Sequence, residues 1–250
     1  MVGYNVKIIR YPTETSIRLY SKEVKTSQKE NKKTKNYKSV FTPDKDNEHA
    51  QTVSQNRSIN KIYELMRSNM WEYFITLTFN PDKIDRFDYN ACSGALVRWL
   101  NNIKHNYAPN LKYIIVPELH KNGAYHFHGL ISDIGNIAMI DSGKKTRFHE
   151  TIYNLGNYDL GFTTATKIKD SCKASNYITK YITKELCSTT KGKKWYWASR
   201  YLNKPIIEYC YMCEEEKQIL LDSLGSLIYQ KTTTCDEIDQ SVTYIEIKND

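Results

Sequence analysis

Apolar and polar residues alternate along several short stretches of this 250-residue chain, which is the spacing of β-strands with one buried face. Residues 4–24 show the alternation on both sides of a possible turn at Pro12-Thr13-Glu14. This pattern predicts an N-terminal β-hairpin. Its inward face is predicted to carry Val6, Ile8, Ile17 and Leu19.

The middle of the chain mixes strand and helix patterns. Three helices are predicted, from Ser58 to about Met70 with Ile62, Leu65 and Met66 inward, over 89–107 with Leu96, Val97 and Leu100 in one stripe, and over 171–187. Four strands are predicted at Phe74–Phe79, Lys112–Val116, Tyr125–Ile131 and Gly161–Ile168, with a loop-rich insert before the last. This order predicts an α+β domain built on an antiparallel sheet. Near the C-terminus, Glu214–Leu221 is predicted to be helical and Ser241–Ile247 to be a strand.

These patterns divide the chain into four segments. They are an N-terminal hairpin extension (1–24), a basic linker (25–56), a catalytic domain (57–205) and a C-terminal extension of unknown role (206–250). Residues 22–38 hold seven lysines and two glutamates, which is typical of a flexible segment. The linker is interpreted either as an arm that grips DNA or as a solvated tether, and both interpretations stay open.

Composition limits the class of protein. Apolar residues make up 40% and charged residues 26% of the chain, as in ordinary globular proteins, and the net charge of +8 favours a polyanionic partner. No apolar run is long enough for a membrane span or a signal peptide, so we expect a cytoplasmic protein with reduced cysteines. Cys210 and Cys213 have the spacing of half a zinc site, but without a second pair ordinary thiols are favoured.

The first candidate chemistry is a pair of histidines on one strand. Because side chains alternate between faces, His126 and His128 lie on the same face and can share a divalent ion. Glu118 joins them only if the hairpin has a three-residue loop at Lys121-Asn122-Gly123, with Gly123 left-handed; a two-residue turn would turn Glu118 away. We predict the three-residue loop, with His120 as a reserve ligand. The mixed ligand set fits Mn²⁺ or Mg²⁺ and does not distinguish them from Zn²⁺ or Co²⁺.

The second candidate chemistry is a pair of tyrosines on a predicted helix. Tyr177 and Tyr181 are four residues apart and therefore share a helix face, flanked by Lys180 and Lys184. A phenol is a weak nucleophile at neutral pH, and a nearby ammonium group favours its deprotonation and neutralises a phosphate. Tyrosines at this spacing also occur as simple packing pairs. The pair indicates a catalytic function only in combination with the histidine strand.

In this order the strand 74–79, the block His126-Phe127-His128-Gly129 and the segment 177–181 resemble the three motifs of the HUH endonucleases. More narrowly, the chain is similar to rolling-circle replication initiators of phages and plasmids, including gene II-type proteins of filamentous phages. The resemblance runs from about Trp71 to Pro205. It implies an antiparallel sheet with an RNA-recognition-motif-like core, flanked by helices.

The resemblance also implies an activity. A tyrosine would attack single-stranded origin DNA, often at a hairpin, to leave a 5′-phosphotyrosine and a free 3′-OH without consuming ATP. It implies His126, His128 and Glu118 as ligands of Mn²⁺ or Mg²⁺, and Tyr177 and Tyr181 as nucleophiles, with Tyr181 slightly favoured for the first cleavage. Lys180 and Lys184 would be partners of the phosphate or the phenolate, and the strand 74–79 would be scaffold rather than part of the chemistry. No phosphate-binding loop of a helicase is present, so a separate host helicase and a DNA polymerase are expected partners.

A basic and aromatic patch follows the tyrosine segment. Its predicted DNA contacts are Lys193, Lys194, Trp197 and Arg200, although at least one tryptophan here is expected to be buried. Three other functions remain open: a relaxase or single-strand transposase of the same superfamily, a phosphodiesterase that uses water, and a non-catalytic nucleic-acid-binding module. The sequence does not indicate the oligomeric state.

Overall fold

Two antiparallel sheets form separate parts of the structure. The computed structural model describes residues 3–25, 57–169, 194–235 and 239–249. The chain divides into an end unit, formed by residues 1–46 and 205–250, and a central unit, formed by residues 47–204. Every strand pairing in the described residues is antiparallel, and with its helices this is the expected α+β fold.

The central unit is built on a seven-stranded sheet in the order β6-β7-β8-β3-β5-β4-β9. Its strands are β3 (Tyr73–Phe79), β4 (Lys112–Leu119), β5 (Tyr125–Ser132), β6 (Met139–Lys145), β7 (Thr151–Leu155), β8 (Gly161–Lys167) and β9 (Trp197–Ala198). The four inner strands lie in the order β8-β3-β5-β4, so the first of them along the chain pairs with the third and the fourth. This order is consistent with the RNA-recognition-motif-like core that the sequence implies.

Helix α1 (57–67) and helix α2 (Tyr89–Asn106) belong to this unit. Helix α2 begins at Asp88, whose carboxylate accepts a hydrogen bond from the backbone N–H of Asn90 at 2.8 Å. This is the usual N-cap interaction of a helix. Leu96 and Leu100 are buried as predicted, but Val97 is 39% exposed, and its placement in the apolar stripe is wrong. Val97 follows Leu96 by one position, which turns its side chain about 100° around the helix axis.

The sheet of the central unit has an apolar core on each face. The larger core combines α2 with one face of the sheet and includes Ile75, Leu77, Ile115 and Phe127. The smaller core contains Ile62, Leu65 and Met66 of α1, as predicted, together with Ile114, Val116 and Leu130 from the other face. Since β4 and β5 contribute to both cores, their register is strongly specified.

The region between β5 and β8 departs from the expected loop-rich insert. It contains the hairpin β6–β7, which continues the sheet beyond β8. The residues of β6 are mostly exposed, and its pairing with β7 shifts between Asp141 and Lys144. A strand with little buried apolar surface lacks the alternation from which strands are predicted. The short strand β9 was also not predicted.

The end unit is a five-stranded sheet in the order β10-β1-β2-β12-β11. Its elements are β1 (Gly3–Arg10), β2 (Glu14–Lys25), β10 (Ile206–Cys210), helix α3 (Glu214–Asp222), β11 (Leu227–Cys235) and β12 (Gln240–Lys248). The hairpin β1–β2 confirms the N-terminal prediction, and its inward side chains are Val6, Ile8, Ile17 and Leu19. Helix α3 and strand β12 confirm the two C-terminal predictions, whereas β10 and β11 were not predicted.

The N-terminal and C-terminal extensions are parts of one sheet. Strand β2 pairs with β12, where Ile17 lies opposite Ile245, and β1 pairs with β10. Leu220 and Leu221 of α3 pack on the face that carries Ile17 and Leu19. The two segments that the sequence presents separately therefore share one small apolar core.

Candidate metal and nucleic-acid site

The hairpin β4–β5 brings the predicted ligands together. Its loop holds Lys121, Asn122 and Gly123, with a hydrogen bond of 2.9 Å from the backbone N–H of His120 to the carbonyl oxygen of Ala124. Gly123 has a φ of 86°, the left-handed conformation that glycine adopts most readily. Glu118 consequently lies opposite His126, and the three-residue loop is confirmed.

The carboxylate of Glu118 contacts the second histidine directly. The distance from His128 Nε2 to Glu118 Oε2 is 2.5 Å, so in this arrangement the ring N–H donates to the carboxylate. This hydrogen bond, with the nearby imidazoles, lowers the pKa of Glu118, although partial burial acts in the opposite direction. Glu118 is therefore an anion at neutral pH, as a metal ligand must be.

Two threonines on β3 position the imidazole rings. Thr76 Oγ1 lies 3.0 Å from Nδ1 of His128, and Thr78 Oγ1 lies 3.1 Å from Nδ1 of His126. These contacts follow from the strand pairing, in which Thr76 is opposite His128 and Thr78 is opposite His126. Hydrogen bonds of this kind orient metal-binding histidines and direct the other ring nitrogen, Nε2, to a ligand.

Two further cationic or ionisable side chains lie beside His126. The ring of His120 is 5.2 Å from that of His126, which confirms that it shares this face of the hairpin. Burial, the other histidines and Arg86 lower the pKa of His126, so its ring is neutral and can donate a lone pair at neutral pH. Arg86 Nε is buried without a hydrogen-bond partner, and its guanidinium lies 5.5 Å from the ring of Phe87. Arg86 thus places a permanent positive charge near the histidines.

The donor set fits a divalent cation in its chemistry. One carboxylate and two imidazoles, with rings held from behind by threonines, form a usual mixed ligand set. As they stand, however, no three His, Cys, Asp or Glu side chains within the described ranges are close enough together to enclose an ion. Glu118 and His128 instead are hydrogen-bonded to each other at 2.5 Å, and Glu118, His126 and His128 are the residues that would hold a cation.

A basic groove lies along α1 and the segment that contains β9. Its cavity is about 470 Å³ and is lined by Lys61, Leu65, Lys194, Trp195, Tyr196, Ala198, Ser199, Arg200, Leu202 and Lys204. Lys194 and Arg200 were predicted to contact DNA, whereas Lys61 and Lys204 were not recognised in the sequence. Four positive charges beside two aromatic rings suit the phosphates and bases of a single strand.

Trp197 does not belong to this surface. Its side chain is 5% exposed and its ring lies 5.3 Å from that of Phe127 in the larger core. The ring is therefore not available to stack on a base, and the DNA-binding assignment of Trp197 is corrected. Lys194 Nζ lies 5.6 Å from the centre of the same ring, so the buried Trp197 lies next to a lysine of the basic groove.

Several predicted residues lie outside the described residues. These are the basic linker after residue 25, the predicted helix 171–187 with Tyr177, Lys180, Tyr181 and Lys184, and Lys193. The roles expected for them stay predictions. Among the residues that are described, Thr76, Thr78 and Arg86 were not recognised in the sequence, as was the case for Lys61 and Lys204 of the groove. Thr76 and Thr78 alternate with Ile75 and Leu77, and this polarity was the available signal.

A comparison with known families matches the part of the chain that holds the candidate site. Residues 72–186 match the model of a family of replication-associated proteins, which is described by the names ORF2 and gene II protein. The matched segment begins just before β3 and extends beyond the position of Tyr181, so it includes all three candidate ligands and both tyrosines. The match supports a role in the initiation of phage or plasmid replication. No curated protein and no solved structure matches the chain.

None of the helices in the described ranges is long and apolar enough to cross a membrane.

Proposed function

We propose that this protein initiates rolling-circle replication by nicking and rejoining single-stranded origin DNA through a tyrosine. The observation that carries the proposal is the convergence of Glu118, His126 and His128 on two adjacent strands, with both rings held by threonines of a third. The match of residues 72–186 to a replication-associated family supports the same function. The reaction would occur in the bacterial cytoplasm with a host helicase and polymerase.

The proposed reaction exchanges one phosphoester bond for another. The phenolic oxygen of Tyr177 or Tyr181 attacks the phosphorus, the bond to the 3′-oxygen breaks, and the 3′-oxygen takes up a proton. The products are a 5′-phosphotyrosine and a free 3′-OH, and reversal by a second 3′-OH rejoins the strand. Since the bond energy is retained, the reaction requires no ATP.

Each side chain has a defined task in this proposal. Mn²⁺ or Mg²⁺ held by Glu118, His126 and His128 would polarise a phosphate oxygen and help to neutralise its charge. Lys180 and Lys184 would lower the proton affinity of the attacking phenol or neutralise the phosphate. Arg86, which has no ion pair within the described residues, would supply a further positive charge beside His126.

The basic groove would bind the strand outside the reacting phosphate. Lys61, Lys194, Arg200 and Lys204 would contact phosphates, while Trp195 and Tyr196 offer partly exposed rings. Binding through phosphates is independent of sequence and weakens with salt. The groove would therefore contribute affinity, while selection of the origin would depend on contacts to the bases.

One experiment tests the chemistry directly. The protein is incubated with Mn²⁺ and labelled single-stranded oligonucleotides that cover its own replicon, and the products are separated on a denaturing gel. We expect a protein–DNA adduct that survives SDS, is absent with EDTA, and is lost in Tyr177→Phe/Tyr181→Phe. The matched control is Tyr201→Phe, which changes a tyrosine that is 86% exposed in the same unit and should retain the adduct.

Other outcomes favour the alternatives. Cleavage without an adduct would show that water is the nucleophile. Tight binding without cleavage would favour a non-catalytic nucleic-acid-binding module, in which Glu118 and His128 are simply a hydrogen-bonded pair at 2.5 Å. Adduct formation at a transfer origin or a transposon end, but not at a replication origin, would favour a relaxase or a single-strand transposase.

A further inference from the structure

The candidate ligands lie in a row that continues to an exposed aromatic ring. Across four strands the row runs from Glu118 on β4 to His126 on β5, Thr78 on β3 and Phe162 on β8. Residues directly opposite each other on adjacent strands project from the same face of a sheet. The backbone of Phe162 is therefore two strands, or about 10 Å, from the backbone of His126, and its side chain projects from the same face.

The exposed ring of Phe162 borders a cavity that can accept a flat ligand. The side chain is 53% exposed and stands at the beginning of β8, before the residues of that strand that pair with β7. It borders a cavity of about 360 Å³ that is also lined by Thr78, Phe79, Asn80, Pro81, Lys83, Asp159 and Gly161. A flat aromatic surface beside such a cavity can accept another flat ring.

Gly161 sets the position of this ring. A Cβ atom at Gly161 would overlap the carbonyl oxygen of Thr78 and the backbone nitrogen of Asn80, so only glycine allows β8 to approach β3 this closely. The close approach at residue 161 keeps the neighbouring Phe162 opposite Thr78 in the row of site residues. The cavity is thus a product of the same strand pairing that positions Thr78 behind His126.

The loop that follows β3 carries two positively charged side chains, Lys83 at the cavity and Arg86 near His126. Lys83 lines the cavity and donates a hydrogen bond of 2.6 Å from Nζ to the carbonyl oxygen of Asp159, and it forms no ion pair with a carboxylate of the described residues, although Asp159 also lines the cavity. Arg86 lies three residues further along the same loop, beside His126. An aromatic surface beside a cationic group is complementary to a nucleotide, which has a flat base and an anionic phosphate.

We propose that Phe162 and its cavity form a base-binding subsite, in which a nucleotide next to the scissile phosphate stacks its base on the phenyl ring. This inference rests on the proposed function for the position of the phosphate. It assigns to β8 a part in holding the substrate in register with Glu118, His126 and His128. Stacking alone distinguishes bases weakly, so the subsite would position the strand rather than select the origin.

The first test measures binding of a fluorescent oligothymidylate, which needs no knowledge of the origin. Phe162→Ala is expected to weaken binding about tenfold, the size typical of one lost base–ring stack, and Phe162→Trp to retain it. The matched control is Phe148→Ala, which removes a phenylalanine that is 67% exposed in the same unit and has no place in the row. Equal urea midpoints for the variants would show that the fold is unchanged.

The second test locates the base. Oligothymidylate with 5-iododeoxyuridine is crosslinked by ultraviolet light, and the crosslinked peptide is identified by mass spectrometry. We expect Phe162 among the crosslinked residues. Unchanged affinity in Phe162→Ala together with no crosslink at Phe162 would overturn the inference, even if the tyrosine adduct forms as proposed. Weaker binding and a crosslink at Phe162, without any adduct, would retain the base-binding site and overturn the nicking function.

Discussion

The β4–β5 and β6–β7 hairpins belong to the same sheet but differ in how firmly their registers are fixed. In β4–β5, eight residue pairs follow one another without a shift, and both faces are covered by apolar cores. In β6–β7, the register shifts between Asp141 and Lys144, and most of β6 is exposed. A one-residue slip would move many buried side chains to the wrong face in the first hairpin, whereas in the second Leu155 is the one buried residue of the two strands. The candidate ligands lie in the hairpin where burial prevents such a slip.

The largest expected effect comes from removing one negative charge in the β4–β5 hairpin, compared with the same change in β6–β7. Glu118→Gln retains an acceptor for His128 Nε2–H but removes the anionic ligand. We expect Mn²⁺ affinity, measured by calorimetry, and adduct formation to fall about 100-fold or more, beyond the effect of losing an outer contact. Asp141→Asn makes the same change on β6, where the carboxylate only accepts the N–H of Gly143, and should leave both unchanged. Equal Mn²⁺ affinity in Glu118→Gln and the unaltered protein would remove Glu118 from the ligand set.

The second prediction compares the stability that each hairpin contributes. Leu130 is fully buried in the smaller core, so Leu130→Ala should lower the free energy of unfolding by about 2–5 kcal/mol. Ile140 on β6 is 54% exposed, and Ile140→Ala should change the free energy of unfolding by about 0.5 kcal/mol or less. All four tryptophans lie in the central unit, so urea unfolding followed by tryptophan fluorescence reports on this unit. Similar losses for the two variants would contradict the assigned difference.

The same contrast explains what could be predicted from the sequence. The register of Glu118 and His126 was predictable because a three-residue loop at Lys121-Asn122-Gly123 puts Glu118 on the face of the histidines, whereas a two-residue turn does not. Strand β6 was not, since Asp141, Ser142 and Lys144 show no apolar alternation. The sheet of the end unit depends on pairs such as Ile17 and Ile245, which are more than 200 residues apart and leave no local pattern.

The role of the threonines could not be predicted from the sequence, because it depends on the order of the strands in the sheet. Thr76 and Thr78 show a polar face in the sequence, but their contacts with the histidines depend on β3 lying next to β5. The strand 74–79 was therefore interpreted as a scaffold for the site. Its backbone does have that role, but its two hydroxyl groups also touch the candidate ligands.

The smallest expected effect tests those hydroxyl groups. Thr76→Val and Thr78→Val keep the shape of the side chain and remove one hydrogen bond to Nδ1 of His128 or His126. Each should weaken Mn²⁺ binding about 10- to 100-fold, the usual loss when a contact behind a metal ligand is removed, and threonine to serine should restore most of it. The control is Thr164→Val on β8, opposite Thr76 but without a hydrogen bond to either histidine. If all three valine variants bind Mn²⁺ equally well, burial alone orients the rings. If only the β3 variants are impaired, the two apolar cores fix the register of β4–β5, and the hydroxyl groups of the neighbouring strand β3 orient the histidine rings within it.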